Sequence, residues 1–151
     1  MVEEGTPAPD FELTNDEGET VTLSALRGKP VVLYFYPKDD TPGCTTEACE
    51  FRDAYDRFRD QGVEILGVSP DTEASHRKFK TKYELPFTLL ADPGHEAAEA
   101  YGVWKEKKIY GRTYEVVERS TFIIDAEGKV AKAMRGIRPA GHAAKVLETL
   151  P

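Results

Sequence analysis

The sequence predicts an α/β fold with a mixed central sheet flanked by helices. Three observations carry that expectation. Val31-Val32-Leu33-Tyr34-Phe35-Tyr36 is a continuous β-branched and aromatic run, the pattern of a central strand covered on both faces. After it, strand-type and helix-type segments alternate as β-α-β-α, which implies parallel strands joined by right-handed crossovers. From Lys107 to Arg135 the pattern becomes extended and doubles back at a turn, adding antiparallel strands. At 151 residues the chain suits one domain spanning 1–151, long enough to bury roughly 68 to 70% of its unfolded surface without disulfide staples.

Element by element, the first two dozen residues are expected to form an added amino-terminal hairpin. Pro37 ends the central strand because it lacks the amide a ladder needs, and Asp39, Asp40, Pro42 and Gly43 make the next stretch a loop. From Thr45 the pattern is helical: Phe51, Tyr55 and Phe58 recur at helical spacing with Ala48 and Ala54 beside them. Glu47, Glu50, Arg52, Asp56 and Arg59 are expected to face water, and Gly62 stops the helix. Val63 to Val68 reads as a second strand, Ser69-Pro70-Asp71 as turn and cap, and Glu73 to Tyr83 as a helix. Thr88 to Ala91 is a brief strand, followed after Asp92-Pro93-Gly94 by a short helix to about Tyr101. Tyr114 to Ile124 then reads as one long strand, Asp125-Ala126-Glu127-Gly128 as a turn, and Lys129 to Met134 as the returning strand. A final helix near Gly141 to Leu150 carries Val146, Leu147 and Leu150 on one side. Together these elements are compatible with a thioredoxin-like fold, which by itself does not fix a function.

Twenty Lys and Arg stand against 27 Asp and Glu, for a net charge of −7. No basic stripe with interleaved aromatics occurs, so nucleic acid is a poor candidate partner. The chain opens Met1-Val2-Glu3-Glu4-Gly5 without the basic and apolar regions of a signal peptide, and its longest apolar run is far short of a membrane span. A cytoplasmic protein is expected. In that reducing setting a lone cysteine pair is more often catalytic, redox-active or metal-binding than structural.

The two cysteines are Cys44 and Cys49. Cys44 stands at a helix amino end just past the carboxyl end of a core strand, where open α/β sheets place their chemistry. Unpaired amides and the positive end of the helix dipole stabilise an anion there, a thiolate included. Free cysteine is usually a small buried hydrophobe, but Asp39, Asp40, Thr41 and Gly43 make this neighbourhood polar. Five residues along an ideal helix separate two Cα atoms by about 8 to 9 Å, whereas a disulfide needs roughly 4.4 to 6.8 Å. A bond between Cys44 and Cys49 therefore requires the first turn or two of the helix to unwind. A metal is not implied, since His76, His95 and His142 are scattered and none stands at ligand spacing from the pair. These histidines are expected to be exposed helix residues, Asp39 and Asp40 a solvated loop, and Glu106-Lys107-Lys108 a solvated turn. Trp104 and Tyr110 are expected near the rim of the pocket.

The segment Pro37-Lys38-Asp39-Asp40-Thr41-Pro42-Gly43-Cys44, continued by Thr45-Thr46-Glu47-Ala48-Cys49-Glu50-Phe51-Arg52-Asp53, resembles the active-site pattern of the peroxiredoxins, in the bacterioferritin comigratory protein or peroxiredoxin Q subgroup. Ala8-Pro9-Asp10-Phe11, Gly28-Lys29, Leu66-Gly67-Val68-Ser69, Tyr101-Gly102-Val103-Trp104 and Arg119-Ser120-Thr121-Phe122-Ile123-Ile124-Asp125 fall where that family has them, so the resemblance covers nearly the whole chain. Glu115-Val116-Val117-Glu118 departs from it, lacking an expected glycine. The resemblance implies that Cys44 attacks the peroxide, that Cys49 resolves the product, and that Pro37, Thr41 and Arg119 complete the pocket. It further implies a thiol peroxidase acting on hydrogen peroxide and alkyl hydroperoxides, recycled by thioredoxin, with no metal, flavin or haem. Thr41 can offer a hydroxyl, Arg119 a permanent cation, and Pro37 a shield from bulk water. Arg119 is expected to share a strand face with Val117, Thr121 and Ile123. A resolving cysteine in the same helix removes the chemical need for a dimer, so a monomer is expected. The rival class is a non-enzymatic thiol redox sensor or binding module, which needs an oxidisable Cys44 but no peroxide-tuned Thr41 and Arg119.

Overall fold

The computed structural model describes residues 2–150. Its centre is a seven-stranded sheet, ordered β2-β1-β5-β4-β3-β8-β9. The strands are β1 (Glu12–Asn15), β2 (Thr20–Thr22), β3 (Val31–Phe35), β4 (Glu64–Ser69), β5 (Thr88–Ala91), β8 (Ser120–Ile124) and β9 (Val130–Arg135). Strands β3, β4 and β5 run parallel, as the alternating segments imply. β8 and β9 add antiparallel strands on one side, and the β1–β2 hairpin adds to β5 on the other. The amino-terminal hairpin is thus an extension of the main sheet.

β3 is the keel of the fold, with every residue buried. Its side chains alternate between two cores. Val32 and Tyr34 pack with residues of α1 (Pro42–Asp53), α2 (Tyr55–Asp60), α3 (Glu73–Tyr83) and α5 (His142–Glu148). Val31, Leu33 and Phe35 pack with α4 (Glu96–Ala100), the 3-10 turn Leu23–Leu26 and the amino-terminal segment. Both faces are therefore covered, which is why the strand reads as an unbroken apolar run. Gly67 sits opposite Tyr34 in the β3–β4 register. A Cβ there would lie 2.9 Å from the Tyr34 ring, so glycine lets the tyrosine lie flat on the sheet.

Three differences from the expected elements matter. The helix after β3 begins at Pro42, not Thr45, and is divided at Ala54, whose φ of −95° and ψ of 0° separate α1 from α2. Proline in the first turn is suited to that place, since its missing amide would have no partner there. The long strand expected over Tyr114 to Ile124 is two strands, β7 (Arg112–Val117) and β8, interrupted at Glu118 and Arg119. Arg119 consequently does not share a strand face with Val117 and Thr121. Among the described residues β7 pairs only with β6 (Trp104–Ile109), forming a separate two-stranded sheet. Glu106, Lys107 and Lys108 are therefore strand residues, and the turn lies at Tyr110 and Gly111, with φ of 52° and 74°, as in a type I′ hairpin. Tyr110 is fully exposed at that tip, 101% by area, and is no part of a pocket rim. Among the described residues no helix is long and apolar enough to cross a membrane.

Candidate active site

The loop from Pro37 to Thr41 leaves the carboxyl end of β3 and delivers the chain into α1, with Thr41 as its N-cap residue. Cys44 thus lies in the first helical turn. Proline at the first position has no amide, and the first intrahelical bond runs from Thr45 N to the Thr41 carbonyl at 2.8 Å. The amides of Gly43 and Cys44 fall before that bond and belong to the orphan donors that make a helix start attractive to anions. Thr41 Oγ1 makes no cap bond; it donates to the Lys38 carbonyl at 2.8 Å. Its single proton is engaged, so its free capacity toward a ligand is as an acceptor.

Arg119, at the break between β7 and β8, turns its side chain to Cys44. Nη2 donates to the Cys44 sulfur at 3.3 Å, and Nη1 donates to Glu47 Oε1 at 2.8 Å. Cys44 is 1% exposed and Glu47 is fully buried. Burial pushes the Glu47 carboxyl up to about 7, against the opposing pull of Arg119; its Oε2 has no hydrogen-bond partner among the described residues. Burial also works against the Arg119 charge, but Glu47 and Cys44 outweigh it and hold the guanidinium above its ordinary value. Arg119 therefore bridges a sulfur and a carboxylate with one planar fork.

Two parts of this arrangement escape the sequence reading. Glu47 was expected in water, yet α1 buries Cys44, Glu47, Ala48 and Phe51, a single stripe at three- and four-residue spacing. The signal was available in that spacing from Cys44. Gly43 is the second. A Cβ on it would stand 3.0 Å from Arg119 Nη2 and 3.4 Å from Pro139 Cγ, so glycine leaves room for the guanidinium beside the sulfur.

Pro37 and Arg119 line one wall of an open cleft of about 550 Å³ that also takes in Lys105, Lys107, Val117 and Ile137. Arg119 thus links the start of α1, where Thr41 and Cys44 stand, to the cleft that Pro37 also lines. Cys49 is a turn and more away on the same helix, half-buried; both cysteines are free thiols. Trp104 lies outside this cleft, its ring stacked on His95 at 4.0 Å and its Nε1 donating to Glu115 Oε2 at 3.0 Å.

The expected exposure of two of the three histidines is also corrected. His76 is fully buried and His142 is 3% exposed. His142 Nε2 sits 2.7 Å from Thr121 Oγ1, and burial, with the Lys145 and Arg119 charges, lowers its pKa to about 4. Asp39 is buried as well, 8% exposed. Asp40 alone keeps the solvated character expected of the loop, paired at the surface with Lys82 at 2.8 Å. Most polar residues scattered in sequence lie in water; Asp39 and His76, and His142 with Thr121, are instead satisfied by one another.

Residues 5–133 match the AhpC/TSA family. The chain belongs to that family. Peroxiredoxin Bcp of Bacillus subtilis is 54% identical over 149 residues, covering 99% of this chain and 95% of the relative. A chloroplastic peroxiredoxin Q of Oryza sativa subsp. japonica is 42% identical over 150 residues, covering 99% and 67%. Among solved structures, the bacterioferritin comigratory protein of Xanthomonas campestris, described for alkyl peroxide reduction, is 40% identical, with a TM-score of 0.91 and coverage of 97% of this chain and 96% of that one. The protein is accordingly a thiol peroxidase with a peroxide substrate and a thioredoxin-type reductant, on a thioredoxin-like fold. One difference bears on resolution. The two cysteines replaced in variants of the Xanthomonas protein lie much further apart in sequence than Cys44 and Cys49, and this chain has no third cysteine.

Proposed function

We propose that Cys44 is the peroxide-attacking residue of this peroxidase and that Cys49 resolves it within the same chain. The observation that carries the reading is the 3.3 Å contact between Arg119 Nη2 and the Cys44 sulfur at the first turn of α1. A thiolate there has a permanent cation and a helix amino end beside it. When it attacks a peroxide, an S–O bond forms as the O–O bond breaks. The departing oxygen leaves as hydroxide or alkoxide and takes a proton to become water or an alcohol, while Cys44 becomes a sulfenic acid. Arg119 and the amides of the first turn face the charge that moves across the two oxygens. Thr41 Oγ1, its proton already given to Lys38, accepts from the peroxide hydroxyl and aligns it. Pro37, on the wall of the cleft, limits water at the sulfur.

Resolution requires α1 to open between the cysteines. Cys49 then attacks the Cys44 sulfur, the sulfenic oxygen leaves as water, and a disulfide remains. A dithiol such as thioredoxin returns two electrons. Opening costs the Glu47–Arg119 contact and the burial of Ala48, while Phe51 stays seated on the sheet side by its stack on Tyr34 at 4.8 Å. The break at Ala54 confines the unwinding to α1. We further propose a monomeric single domain over residues 1–151, working in the cytoplasm without nucleic acid, membrane, metal or organic cofactor.

The test is a pair of variants. Cys44→Ser should abolish peroxide turnover, while Cys49→Ser should consume about one equivalent per chain and then stall with thioredoxin, its reductase and NADPH. Equal steady turnover in both variants would eliminate this division of roles.

A further inference from the structure

We infer that Asp39 and His76 are positioning residues for the peroxide reaction, a buried pair that clamps the Pro37–Thr41 loop against α3 so that Thr41 and Cys44 meet the peroxide in line. The inference rests on the assignment of Cys44 above and concerns residues that touch neither the sulfur nor Arg119.

The loop could have been a mobile connection; instead Asp39 is held at both carboxylate oxygens and at its backbone amide. Its Oδ1 accepts from Tyr36 Oη at 2.6 Å, and its Oδ2 accepts from Ser75 Oγ at 2.8 Å and meets His76 Nδ1 at 2.7 Å. Its backbone amide donates to Asp71 Oδ2 at 2.8 Å, and that oxygen also accepts from Ser69 Oγ at 2.6 Å. These partners come from the end of β3, from β4 and the turn after it, and from α3. His76 reaches further, its Nε2 lying 2.9 Å from the Leu90 carbonyl of β5. One cluster therefore ties the loop to the two strands beyond β3.

The chemistry of the cluster fixes a proton count. A carbonyl oxygen only accepts, so His76 Nε2 carries a hydrogen toward Leu90. Both Asp39 oxygens already accept from hydroxyls, leaving the short Nδ1 to Oδ2 contact to hold one further proton between ring and carboxyl. Ring and carboxyl thus share that proton in a site where His76 is fully buried. Such a pair is a weak source of net stability, because desolvation offsets much of its attraction. What it provides is geometry. Asp39 stands two residues from Pro37 and two from Thr41, and near-attack alignment is sensitive at the level of an ångström. Exposed Asp40 adds contacts to Lys82 and Tyr83, both at 2.8 Å, but solvent-facing pairs of this kind contribute little.

The experiment measures the second-order rate of Cys44 sulfenic acid formation by hydrogen peroxide in a Cys49→Ser background, for Asp39→Ala and Asp39→Asn, with the urea midpoint recorded for each. Asparagine can still accept from Tyr36 and donate to His76 Nδ1 and Ser75, so it restores the clamp without the charge. Asp39→Ala should lower the rate about 10- to 100-fold in the folded protein, and Asp39→Asn should return it close to wild type. A downfield proton resonance bridging His76 and Asp39 should be present in wild type and absent in Asp39→Ala. If Asp39→Ala does not fold, His76→Gln carries the same test, because glutamine can satisfy Leu90 or Asp39 but not both. A folded Asp39→Ala or His76→Gln that reacts at the wild-type rate overturns the inference, as does an Asp39→Asn no faster than Asp39→Ala. A wild-type background that forms no sulfenic acid overturns the Cys44 assignment and this inference with it, whereas fast wild type beside equally fast Asp39→Ala overturns this inference alone.

Discussion

Replacing Glu47 by glutamine removes the one charge of α1 that is buried against the sulfur's cation, and its consequence for stability has a calculable size and sign. The glutamine Oε1 can still accept from Arg119 Nη1, so the change is chiefly electrostatic. In the folded protein burial holds the Glu47 carboxyl at about 7 rather than its ordinary 4.5. Below 4.5 it is protonated in both folded and unfolded chains and has no effect. As pH rises to 7 the unfolded chain gives up the proton first, so the folded state loses about 3 kcal/mol of relative stability over that window. Glu47→Gln escapes this loss. Urea unfolding of reduced protein between pH 4.5 and 8, with variant and wild type compared at each pH, isolates the effect from every other titrating group. His142 is one such group and acts in the opposite direction: held down near 4, its neutral ring favours the folded state increasingly as pH rises toward 6.5. The stability of Glu47→Gln minus that of wild type should therefore grow by about 3 kcal/mol from pH 4.5 to 8. A difference that stays flat, or that grows as pH falls, would refute the placement of Glu47 as a buried acid.

Gly43→Ala should slow Cys44 oxidation by about tenfold while leaving the urea midpoint nearly unchanged, since its Cβ would press on Arg119 Nη2 at 3.0 Å and a displaced guanidinium no longer faces the reacting oxygens; stopped-flow oxidation at equal thiol content is the check. Phe51→Ala empties a fully buried ring site stacked on Tyr34 and should cost about 3 to 5 kcal/mol. Because it also loosens α1, it should hasten disulfide formation and reduce sulfinic acid formation at high peroxide, read by mass spectrometry.

Much of this architecture was legible because particular segments carry unambiguous periodicity. Val31 to Phe35 could only be a strand buried on both faces, and Glu73 to Tyr83 and Thr88 to Ala91 are observed with the bounds expected of them. The loop and Cys44 were legible because Pro37, Pro42 and Gly43 punctuate the chain. Other features depend on tertiary contact that no local pattern carries. Glu118 and Arg119 interrupt an otherwise continuous β pattern because the Arg119 side chain is drawn to Cys44 and Glu47. Glu47 is the exception, since its position three residues after Cys44 already puts it on the buried stripe. Asp39 and His76 are 37 residues apart and unremarkable separately; only the packing of α3 on the loop makes each the reason the other is buried.

The decisive measurement is a single-turnover reaction of the reduced Cys49→Ser protein with substoichiometric hydrogen peroxide, with and without Arg119→Ala, following sulfenic acid at Cys44. A sulfur flanked by Arg119 and a helix amino end should react far faster than free cysteine at the same pH, and lose most of that advantage with the guanidinium removed. Oxidation no faster than free cysteine, or a rate indifferent to Arg119, would contradict it.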